Sequence, residues 1–461
     1  MITFFGFVVC VAAVLSALGC AHPLPDAEDA PPRREVRIST DSGWLTYRES
    51  RRIIQRLGAG AGAQDFLARH LQVEEAVADA PLVAGNAVQL FADGPSTYAA
   101  METAIGGARR FIHLESYIFE ADAVGLRIAQ RLIDKRGEGV AVAVMVDAVG
   151  TLSVPPELFE RMRQAGVQVV FFNPVNPLQG RGAWSLNERS HRKILVVDGE
   201  IAFVGGINLS DVYASRPGRG SSGGKAADAQ SAPWRDTHIS IRGPAVQDVE
   251  RVFLDGWRSQ DGPDLGAADF LVPQPRSGPH VVRILVNRPG ESDNHAIYLT
   301  LLSAINSAQR SIHVTMAYFV PDPAFIAALC EAAQRGVDVV LLLPGFSDSS
   351  IVFHAGRSHY ETLLEAGVKI YERKDALLHA KTAVVDGVWS TAGSSNLDWR
   401  SFTLNHEINA VILGAGFGAE MEALFEADRR AAVRVDAEQW RRRPVSQRFK
   451  EFFARLWERW L

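Results

Sequence analysis

Residues 191–198 of the chain read HRKILVVD, and GGIN follows at residues 205–208. The same arrangement occurs again, as HAKTAVVD at residues 379–386 and GSSN at residues 393–396. Each copy has a histidine, a lysine two residues later, an aspartate five residues after the lysine, and a Gly-x-x-Asn segment at one fixed distance. The duplicated pattern indicates two related halves.

Strand geometry explains why a histidine and a lysine stand two residues apart in each copy. Successive side chains of a β-strand point to opposite faces, so residues i and i+2 share one face. The apolar run that follows is typical of a buried strand. One copy therefore presents a nucleophile or base beside a fixed cation, and two copies suit an in-line displacement at phosphorus.

The two copies resemble the HxKxxxxD signatures of the phospholipase D superfamily, and the flanking sequence resembles its bacterial cardiolipin synthase branch. The segments that carry the second resemblance are FVGGINLS (203–210), WRDTH (234–238), GSSNLD (393–398) and LNHEIN (404–409). The resemblance implies an α/β fold with two phospholipase D-like domains, each a mostly β-sheet core flanked by helices. It places the active site between them, near a pseudo-twofold axis.

A second repeat lies outside the signatures. AIGGARRFIH at residues 104–113 recurs as AINSAQRSIH at residues 304–313. Alternating strand and helix patterns with such a long period favour duplication of an α/β unit over a solenoid. In the first half we predict strands at 88–91, 110–119, 140–146 and 167–172, and helices at 96–108, 123–136 and 156–165.

Composition narrows the class of protein. The 461 residues exceed one ordinary domain, and 47% hydrophobic with 22% charged residues is typical of a globular chain. A net charge of −5 argues against a nucleic-acid partner. Three cysteines cannot form a disulfide framework, and no Cys/His cluster has zinc spacing. We therefore predict neither a metal nor a cofactor.

Residues 1–20 form a leader, apolar and uncharged up to Cys20. We interpret it as a secretory signal whose end resembles a bacterial lipobox, with lipidation at Cys20. An uncleaved membrane anchor and a misassigned start are the alternatives. The first two place the protein at a membrane of a bacterial cell envelope.

The remaining chain divides into four segments. We predict a linker and helical N-terminal extension at 21–80, phospholipase D-like domains at 81–265 and 266–430, and a C-terminal tail at 431–461. A Gly/Ser-rich insertion within the first domain, at 215–233, is expected to be a mobile surface loop.

The tail has its own pattern. Apolar residues at helical spacing alternate with basic ones, and ten basic against four acidic residues follow from Arg429 onward. A basic amphipathic helix with Trp and Phe suits an anionic membrane surface. Docking of the helix on the second domain is the alternative.

The resemblance also assigns chemistry to the duplicated residues. His191 is the expected nucleophile and forms a phosphohistidine, while His379 acts first as acid and then as base. Lys193 and Lys381 would neutralise the non-bridging phosphate oxygens. Substrate phosphate would also be bound by Asn208, Asn396 and Ser395.

Four carboxylates complete the predicted site. Glu407 matches the family position for the carboxylate that orients His379, and Asp236 matches the corresponding place behind His191. Asp198 and Asp386 belong to the catalytic signatures, where the resemblance implies that they order the local turn and the lysine. Core or cleft-wall packing is expected for His113 and His313, and contact with the pocket or substrate remains open for Tyr117, His238, Tyr318, His354 and His359.

The leading interpretation is a membrane-associated phosphatidyltransferase that resembles cardiolipin synthase. It would transfer a phosphatidyl group between two phosphatidylglycerol molecules through phosphatidyl-His191. A phospholipase D hydrolase, with water as acceptor, would use the same residues. A nuclease of the superfamily and a non-catalytic lipid-binding lipoprotein are further alternatives. The sequence leaves the acceptor and the oligomeric state open.

Overall fold

A computed structural model describes residues 34–59, 63–180, 182, 184–215, 232–265, 270–289 and 295–461. The predicted leader, Cys20, nearly all of the linker and most of the 215–233 insertion lie outside these described residues. Within the described part, no helix is both long enough and apolar enough to cross a membrane.

In its described part, the N-terminal extension contains two short strands and two helices. They are β1 (Ile38–Thr40), β2 (Gly43–Trp44), α1 (Tyr47–Ala59) and α2 (Gln64–Val77).

The first half alternates strands and helices, then turns to consecutive strands around the first signature. Its elements are β3 (Leu82–Phe91), α3 (Gly94–Gly107), β4 (Phe111–Ser116), α4 (Ala123–Gly137), β5 (Ala141–Asp147), α5 (Pro156–Gln164), β6 (Gln168–Phe172), β7 (Arg189–Ser190), β8 (Lys193–Val197), β9 (Ile201–Gly205), β10 (Trp234–Arg235), β11 (His238–Arg242) and α6 (Val246–Ser259).

The second half follows the same order with a few added elements. It contains β12 (His280–Asn287), α7 (Ala296–Ser307), β13 (Ser311–Met316), β14 (Phe319–Val320), α8 (Pro323–Gln334), β15 (Asp338–Pro344), α9 (Ser350–Arg357), α10 (Tyr360–Glu365), β16 (Lys369–Arg373), β17 (Leu377–Leu378), β18 (Lys381–Val385), β19 (Trp389–Gly393), β20 (Leu397–Asp398), α11 (Trp399–Thr403), β21 (Asn405–Leu413) and α12 (Ala415–Arg430). The tail adds β22 (Ala432–Arg434), α13 (Ala437–Arg441) and α14 (Val445–Arg455).

Local chemistry explains where the helices begin. Asp93 accepts a hydrogen bond from the amide of Ser96 at 2.7 Å, which caps the first turn of α3. Asp122 and Asp322 cap α4 and α8 in the same way. Gly166, with φ of 88°, follows α5 and allows the chain to turn into β6.

The two halves have the same sheet topology. The first-half strands lie in the order β6–β5–β4–β8–β9–β11–β3. The second-half strands lie in the order β16–β15–β13–β18–β19–β21–β12. In both, the first three strands are parallel and the rest antiparallel, which confirms the predicted duplication of an α/β unit.

Strand pairings join the halves along their pseudo-twofold axis. The antiparallel pair β3–β12 makes one continuous sheet. Two further pairs are reciprocal: β7 of the first half lies parallel to β21 of the second, and β10 of the first lies parallel to β17 of the second. Both signature histidines directly follow one of these exchanged strands, so both lie where the halves meet.

The N-terminal extension contacts both halves: β1 pairs in parallel with β3 of the first half, and helix α2 packs against the second half. Phe66 and Leu71 of α2 share a core with Ile297 and Leu301 of α7. The buried carboxylate of Glu74 lies 3.2 Å from the guanidinium of Arg283 on β12 and accepts a hydrogen bond from the indole of Trp389 at 3.0 Å. The extension therefore covers a face of the second half that would otherwise be exposed to water.

Candidate active site

His191 follows β7 and is held by the second half. Its backbone amide donates to the carbonyl of His406 at 3.0 Å, continuing the β7–β21 pairing. Its ring Nδ1 lies 3.1 Å and 3.2 Å from the two carboxylate oxygens of Glu407, and 3.1 Å from the carbonyl oxygen of Ser394. These contacts leave Nε2 as the reactive nitrogen.

His379 occupies the equivalent place in the second half and is held by the first. Its Nδ1 lies 2.6 Å from a carboxylate oxygen of Asp236 and 3.4 Å from the hydroxyl of Tyr213. The ammonium of Lys381 is 3.1 Å from the same nitrogen. The side chain of His379 is 7% exposed and that of His191 is 12% exposed, so both are largely buried where the halves meet.

The carboxylate assignment from sequence was wrong in one respect. We expected Asp236 behind His191 and Glu407 behind His379, but the structure exchanges the two. The exchanged strands are the reason: β21 contains Glu407 and pairs with β7, whereas β10 leads into Asp236 and pairs with β17. Each half thus supplies a histidine to its own signature and a carboxylate to the other.

The motif lysines lie at the first positions of β8 and β18, pointing to the same face as the histidines. Lys193 donates to the carbonyl of His191 at 2.5 Å, and its ammonium lies 5.3 Å from the ring centre of Tyr117. Lys381 likewise donates to the carbonyl of His379. Both lysine side chains are buried.

Burial controls the charges of this site. It lowers the pKa of His191 to about 4, against the opposing influence of Glu407. Burial also lowers the pKa of Lys193 to about 7, and the positive charge of Lys381 acts in the same direction. The pKa values of His379 and Lys381 are lowered for the same reason. An anionic phosphodiester would counter this effect by offsetting the clustered positive charge.

The two orienting carboxylates remain ionised. Burial by itself raises their pKa values, but neighbouring cations hold both below the ordinary range. Lys381 and His379 do so for Asp236, while His191 and Lys193 do so for Glu407. An ionised acceptor at Nδ1 fixes the tautomer of each imidazole and stabilises its protonated form during turnover.

Asp198 and Asp386 act as turn residues. Asp198 accepts hydrogen bonds from the backbone amides of residues 109–111 at 2.8 Å, and Asp386 accepts from residues 309–311 at 2.8 to 3.3 Å. Both have positive φ values, 55° and 51°. The carboxylates therefore fix the entry to β4 and β13, whereas the lysines bond the histidine carbonyls.

The predicted phosphate-binding residues differ between the halves. The side-chain oxygen of Asn208 accepts from the amide of Ile118 at 3.1 Å, and its side-chain amide donates to Tyr213 at 3.0 Å. This amide is thus already used to position Tyr213. The buried side-chain oxygen of Asn396 has no hydrogen-bond partner among the described residues. The Ser395 hydroxyl donates to the carbonyl of Asn396 at 3.2 Å.

Tyrosine and acidic residues border the histidines. The ring of Tyr117 packs edge-on against His191 at 5.1 Å, and that of Tyr318 lies 6.3 Å from His379. The Tyr318 hydroxyl donates to Asp348 at 2.8 Å. Tyr213 and Asp348 were not predicted, because both lie on loops outside the repeated segments and no local pattern marks them.

Four other histidines make structural contacts away from the catalytic pairs. His113 lies 2.6 Å from Glu250 and His313 lies 2.6 Å from Glu422, each on a strand that faces a helix, as expected for core positions. His238 is buried, and its Nδ1 accepts from the amide of Ile207 at 3.4 Å. His359 lies 3.3 Å from Glu458, beneath the C-terminal segment rather than in the cleft.

Comparison with known proteins agrees with this geometry. The family model described as "Cardiolipin synthase, PLD-like domain" matches residues 101–216 and 301–429. Cardiolipin synthase of Geobacillus sp. (strain WCH70) is 36% identical over 389 residues, which cover 84% of this chain and 74% of the relative. Cardiolipin synthase A of Pseudomonas aeruginosa (strain LESB58) is 37% identical over 350 residues, which cover 76% of this chain and 68% of the relative.

Among solved structures, phosphatidylserine synthase of Haemophilus influenzae Rd KW20 has a similar fold. The TM-score is 0.64 at 14% sequence identity, over 85% of this chain and all (100%) of the other. At this identity the likeness concerns the fold alone. The matched family model and the relatives above show that the chain belongs to the cardiolipin synthase family of proteins with phospholipase D-like domains.

Proposed function

We propose that the protein is a phosphatidyltransferase that converts two phosphatidylglycerol molecules into cardiolipin and glycerol. One observation carries the proposal: two histidine–lysine pairs converge between the halves, each histidine held at Nδ1 by a carboxylate of the opposite half. Phosphodiester exchange needs a nucleophile, a proton donor and fixed positive charge. The relatives that bear the name cardiolipin synthase support the choice of lipid.

The first step forms a covalent intermediate. Nε2 of neutral His191 attacks phosphorus of the first phosphatidylglycerol, forming a P–N bond while the bond to the headgroup oxygen breaks. Protonated His379 donates its proton to that oxygen, and glycerol leaves. A pKa of about 4 keeps His191 neutral and nucleophilic at physiological pH.

In the second step His379 acts as a base instead of an acid. A headgroup hydroxyl of the second phosphatidylglycerol gives its proton to His379 and attacks phosphorus. The P–N bond breaks, cardiolipin is released and His191 returns to its neutral form. Glu407 and Asp236 stabilise the positive charge that alternates between the two imidazoles.

The lysines provide the electrostatic stabilisation. The ammonium groups of Lys193 and Lys381 are buried, and they are close enough that the charge of Lys381 helps to lower the pKa of Lys193. Binding of an anionic phosphodiester relieves this repulsion, and the interaction strengthens as charge builds up on the non-bridging oxygens. Asn396 and Ser395, adjacent to the second pair, complete the phosphate site in this proposal.

The proposed lipid substrate requires that the enzyme act at a membrane surface. Phosphatidylglycerol and cardiolipin both reside in bilayers, so the cleft must open toward lipid. We extend the proposal to a membrane-associated location in a bacterial cell envelope, with the leader as signal or anchor and Cys20 as its lipidation site. Cys20→Ser tests the lipidation separately. If the mass of the protein changes only by the exchange of the side chain, Cys20 carries no lipid and this part of the proposal alone fails.

Product analysis from labelled phosphatidylglycerol tests the function. We expect cardiolipin and free glycerol in equal amounts from the full-length protein in mixed micelles, and no product from His191→Ala. His280→Ala, on β12 outside the site, is the matched histidine control and should retain activity. Phosphatidic acid without cardiolipin would assign a hydrolase instead, and absence of any product would contradict catalysis.

A further inference from the structure

The C-terminal helix α14 docks through its polar side. Glu451, 2% exposed, accepts hydrogen bonds from Arg443 at 2.9 Å and from Gln447 at 3.1 Å. Ala454, also buried, packs against Ala355 of α9. Arg443 reaches further to Glu361 at 3.1 Å. The helix is therefore anchored to the second half by an ion-pair network and one small residue.

The opposite side of the helix and its extension carry large apolar residues that face water. They are between 43% and 62% exposed and comprise Phe449, Phe452, Phe453, Leu456, Trp457 and Trp460, which we call the aromatic face. The phenyl rings of Phe449 and Phe453 lie 4.4 Å apart, so the exposed side chains form one cluster. A helix that docks only to stabilise a fold buries such residues and leaves its glutamates in water.

Positive charge surrounds the aromatic face. Arg448, Lys450, Arg455 and Arg459 lie between the apolar residues, and the first three are exposed along α14. Both acidic residues of this segment are engaged: Glu451 is buried with Arg443, and Glu458 contacts His359 and Arg455. Exposed aromatic rings bordered by Arg448, Lys450 and Arg459, besides the ion-paired Arg455, complement an anionic bilayer surface.

The aromatic face is linked to the active site. The carbonyl of Leu461 accepts a hydrogen bond from the amide of Arg400 at 2.9 Å, and the guanidinium of Arg400 donates to the carbonyl of Asn187 in the first half at 3.0 Å. Ser401, the next residue, accepts from the amide of Asn396 at 3.2 Å. The chain end is thus fixed where the two halves meet beside the catalytic segment.

We propose that the aromatic face of this helix inserts into the headgroup region of an anionic bilayer while its polar side stays on the second half. The docked helix would then hold the active site of the protein at the lipid surface. Docking on the domain and binding to the membrane are not alternatives, because opposite sides of the helix perform them. The proposal names a partner surface for the proposed function, and its test requires no turnover.

The test compares vesicle binding of full-length proteins that all carry His191→Ala, so that lipid composition stays constant. The first adds Phe449→Ser, Phe452→Ser and Trp457→Ser; the control adds Trp44→Ser and Tyr47→Ser, which remove exposed aromatic residues from the N-terminal extension. Burying even part of each aromatic ring predicts at least about a tenfold loss of binding to phosphatidylglycerol vesicles for the first variant. The control should bind like the parent protein.

The salt dependence of vesicle binding and the oligomeric state of the variants provide the remaining outcomes. The lost part of the binding should require phosphatidylglycerol, be weak on phosphatidylcholine vesicles and fall as salt rises, whereas insertion of a leader would not respond to salt. Equal binding of the first variant and the control would overturn the proposal. Conversion of a dimer to a monomer by the first variant, with unchanged vesicle binding, would assign the aromatic face to a second copy and also overturn it.

Discussion

The strand residues beneath His191 are charged or polar, whereas the equivalent strand residues beneath His379 are mostly apolar and the buried charges there belong to Asp428, Arg235 and Arg373. Arg189 lies 3.6 Å from the carboxylate of Asp147, which also accepts from the amide of Ser190 at 2.9 Å. The Ser190 hydroxyl bonds Glu115. These buried contacts hold β7 from below, immediately before His191.

Strand register identifies the second-half counterparts. Glu115 opposes Ile194 on β8, and Thr315 opposes Thr382 on β18 at the equivalent place. By the same alignment, apolar residues stand in the second half where the first half has Asp147, Arg189, Ser190 and Arg192. The second-half set is Thr315, Pro344, Leu377, Leu378 and Ala380.

The two halves also differ in where the large charged residue lies. It is Arg192, next to the signature strand, in the first half and Asp428, on helix α12, in the second. Gly256 on α6 and Asp428 on α12 each lie six residues after the glutamate that binds a core histidine. In the first half, the guanidinium of Arg192 lies against Gly256. In the second half, the equivalent strand position is Ala380, and Asp428 instead bonds Arg235 at 3.0 Å.

The halves share the residues that the chemistry requires and differ in the residues that pack beneath them. Both halves keep the histidine, the lysine, the turn aspartate and an exchanged carboxylate, while the layer beneath them differs. A buried charged network loses stability when one partner is removed, because the remaining charge is left unpaired. On the His379 side that network joins Asp428 to Arg235 and Arg373 rather than lying among the strand residues beneath the histidine. The two histidines are therefore held differently, which supports the different roles that we propose for them.

The largest effect is expected for the histidines themselves. His191→Ala and His379→Ala should each lower transfer by about 10⁴-fold or more, and the double variant should be little worse, because residues that act as a unit are not additive. Initial rates with labelled phosphatidylglycerol measure this. Substantial turnover in either single variant would break the view that the halves form one site.

Loss of an exchanged carboxylate should have the next largest effect. Asp236→Asn and Glu407→Gln should each lower the rate by about 10³-fold, since the imidazole tautomer is no longer fixed. The two should differ when the leaving group is nitrophenol, which needs no acid. Asp236→Asn should then recover much of the first step and Glu407→Gln should not. Equal recovery would remove the distinction between the histidines.

Removal of one charge from each buried network compares the layers beneath the site. Asp428→Ala leaves Arg235 and Arg373 buried without their shared carboxylate and should lower the free energy of unfolding by about 3–5 kcal/mol. Arg192→Ala should cost less, because burial already raises the pKa of its neighbour Glu115 and that carboxyl can take up a proton. Denaturant unfolding of both variants at neutral pH measures the difference. A larger loss for Arg192→Ala would contradict it.

The smallest predicted effect concerns pH. Burial lowers the pKa of His406 to about 4, well below its value in the unfolded chain, so stability is full above pH 6.5 and is lost as pH falls toward 4. Each such histidine contributes about 1.4 kcal/mol per pH unit within that window. His406→Asn should therefore flatten the dependence of the unfolding free energy on pH, and an unchanged slope would contradict the assignment.

The sequence predicted most of the fold and the four central side chains, for a physical reason. Strand periodicity places His191 and Lys193 on one face, and helix caps such as Asp93 lie within three residues of what they bind. The exchanged carboxylates could not be predicted locally, since the pairing of Glu407 with His191 depends on strand register between residues more than 200 positions apart.

The C-terminal tail shows the same limit. Helical spacing predicted an amphipathic helix, and the structure contains α14 at Val445–Arg455. Which side docks was not predictable, because it depends on Arg443, which pairs both with Glu451 of α14 and with Glu361 of the distant helix α10. Tyr213 was missed because its contact with His379 spans the two halves.

Location of the trapped phosphatidyl group tests the central claim, that each histidine depends on the carboxylate of the other half and that His191 carries the intermediate. Asp236→Asn and Glu407→Gln would be mixed with a labelled nitrophenyl phosphatidyl ester, quenched rapidly and mapped by mass spectrometry. We predict accumulation on His191 in Asp236→Asn, because His379 no longer accepts the acceptor's proton efficiently, and little label in Glu407→Gln. Label on His379, or accumulation in Glu407→Gln instead, would contradict the account.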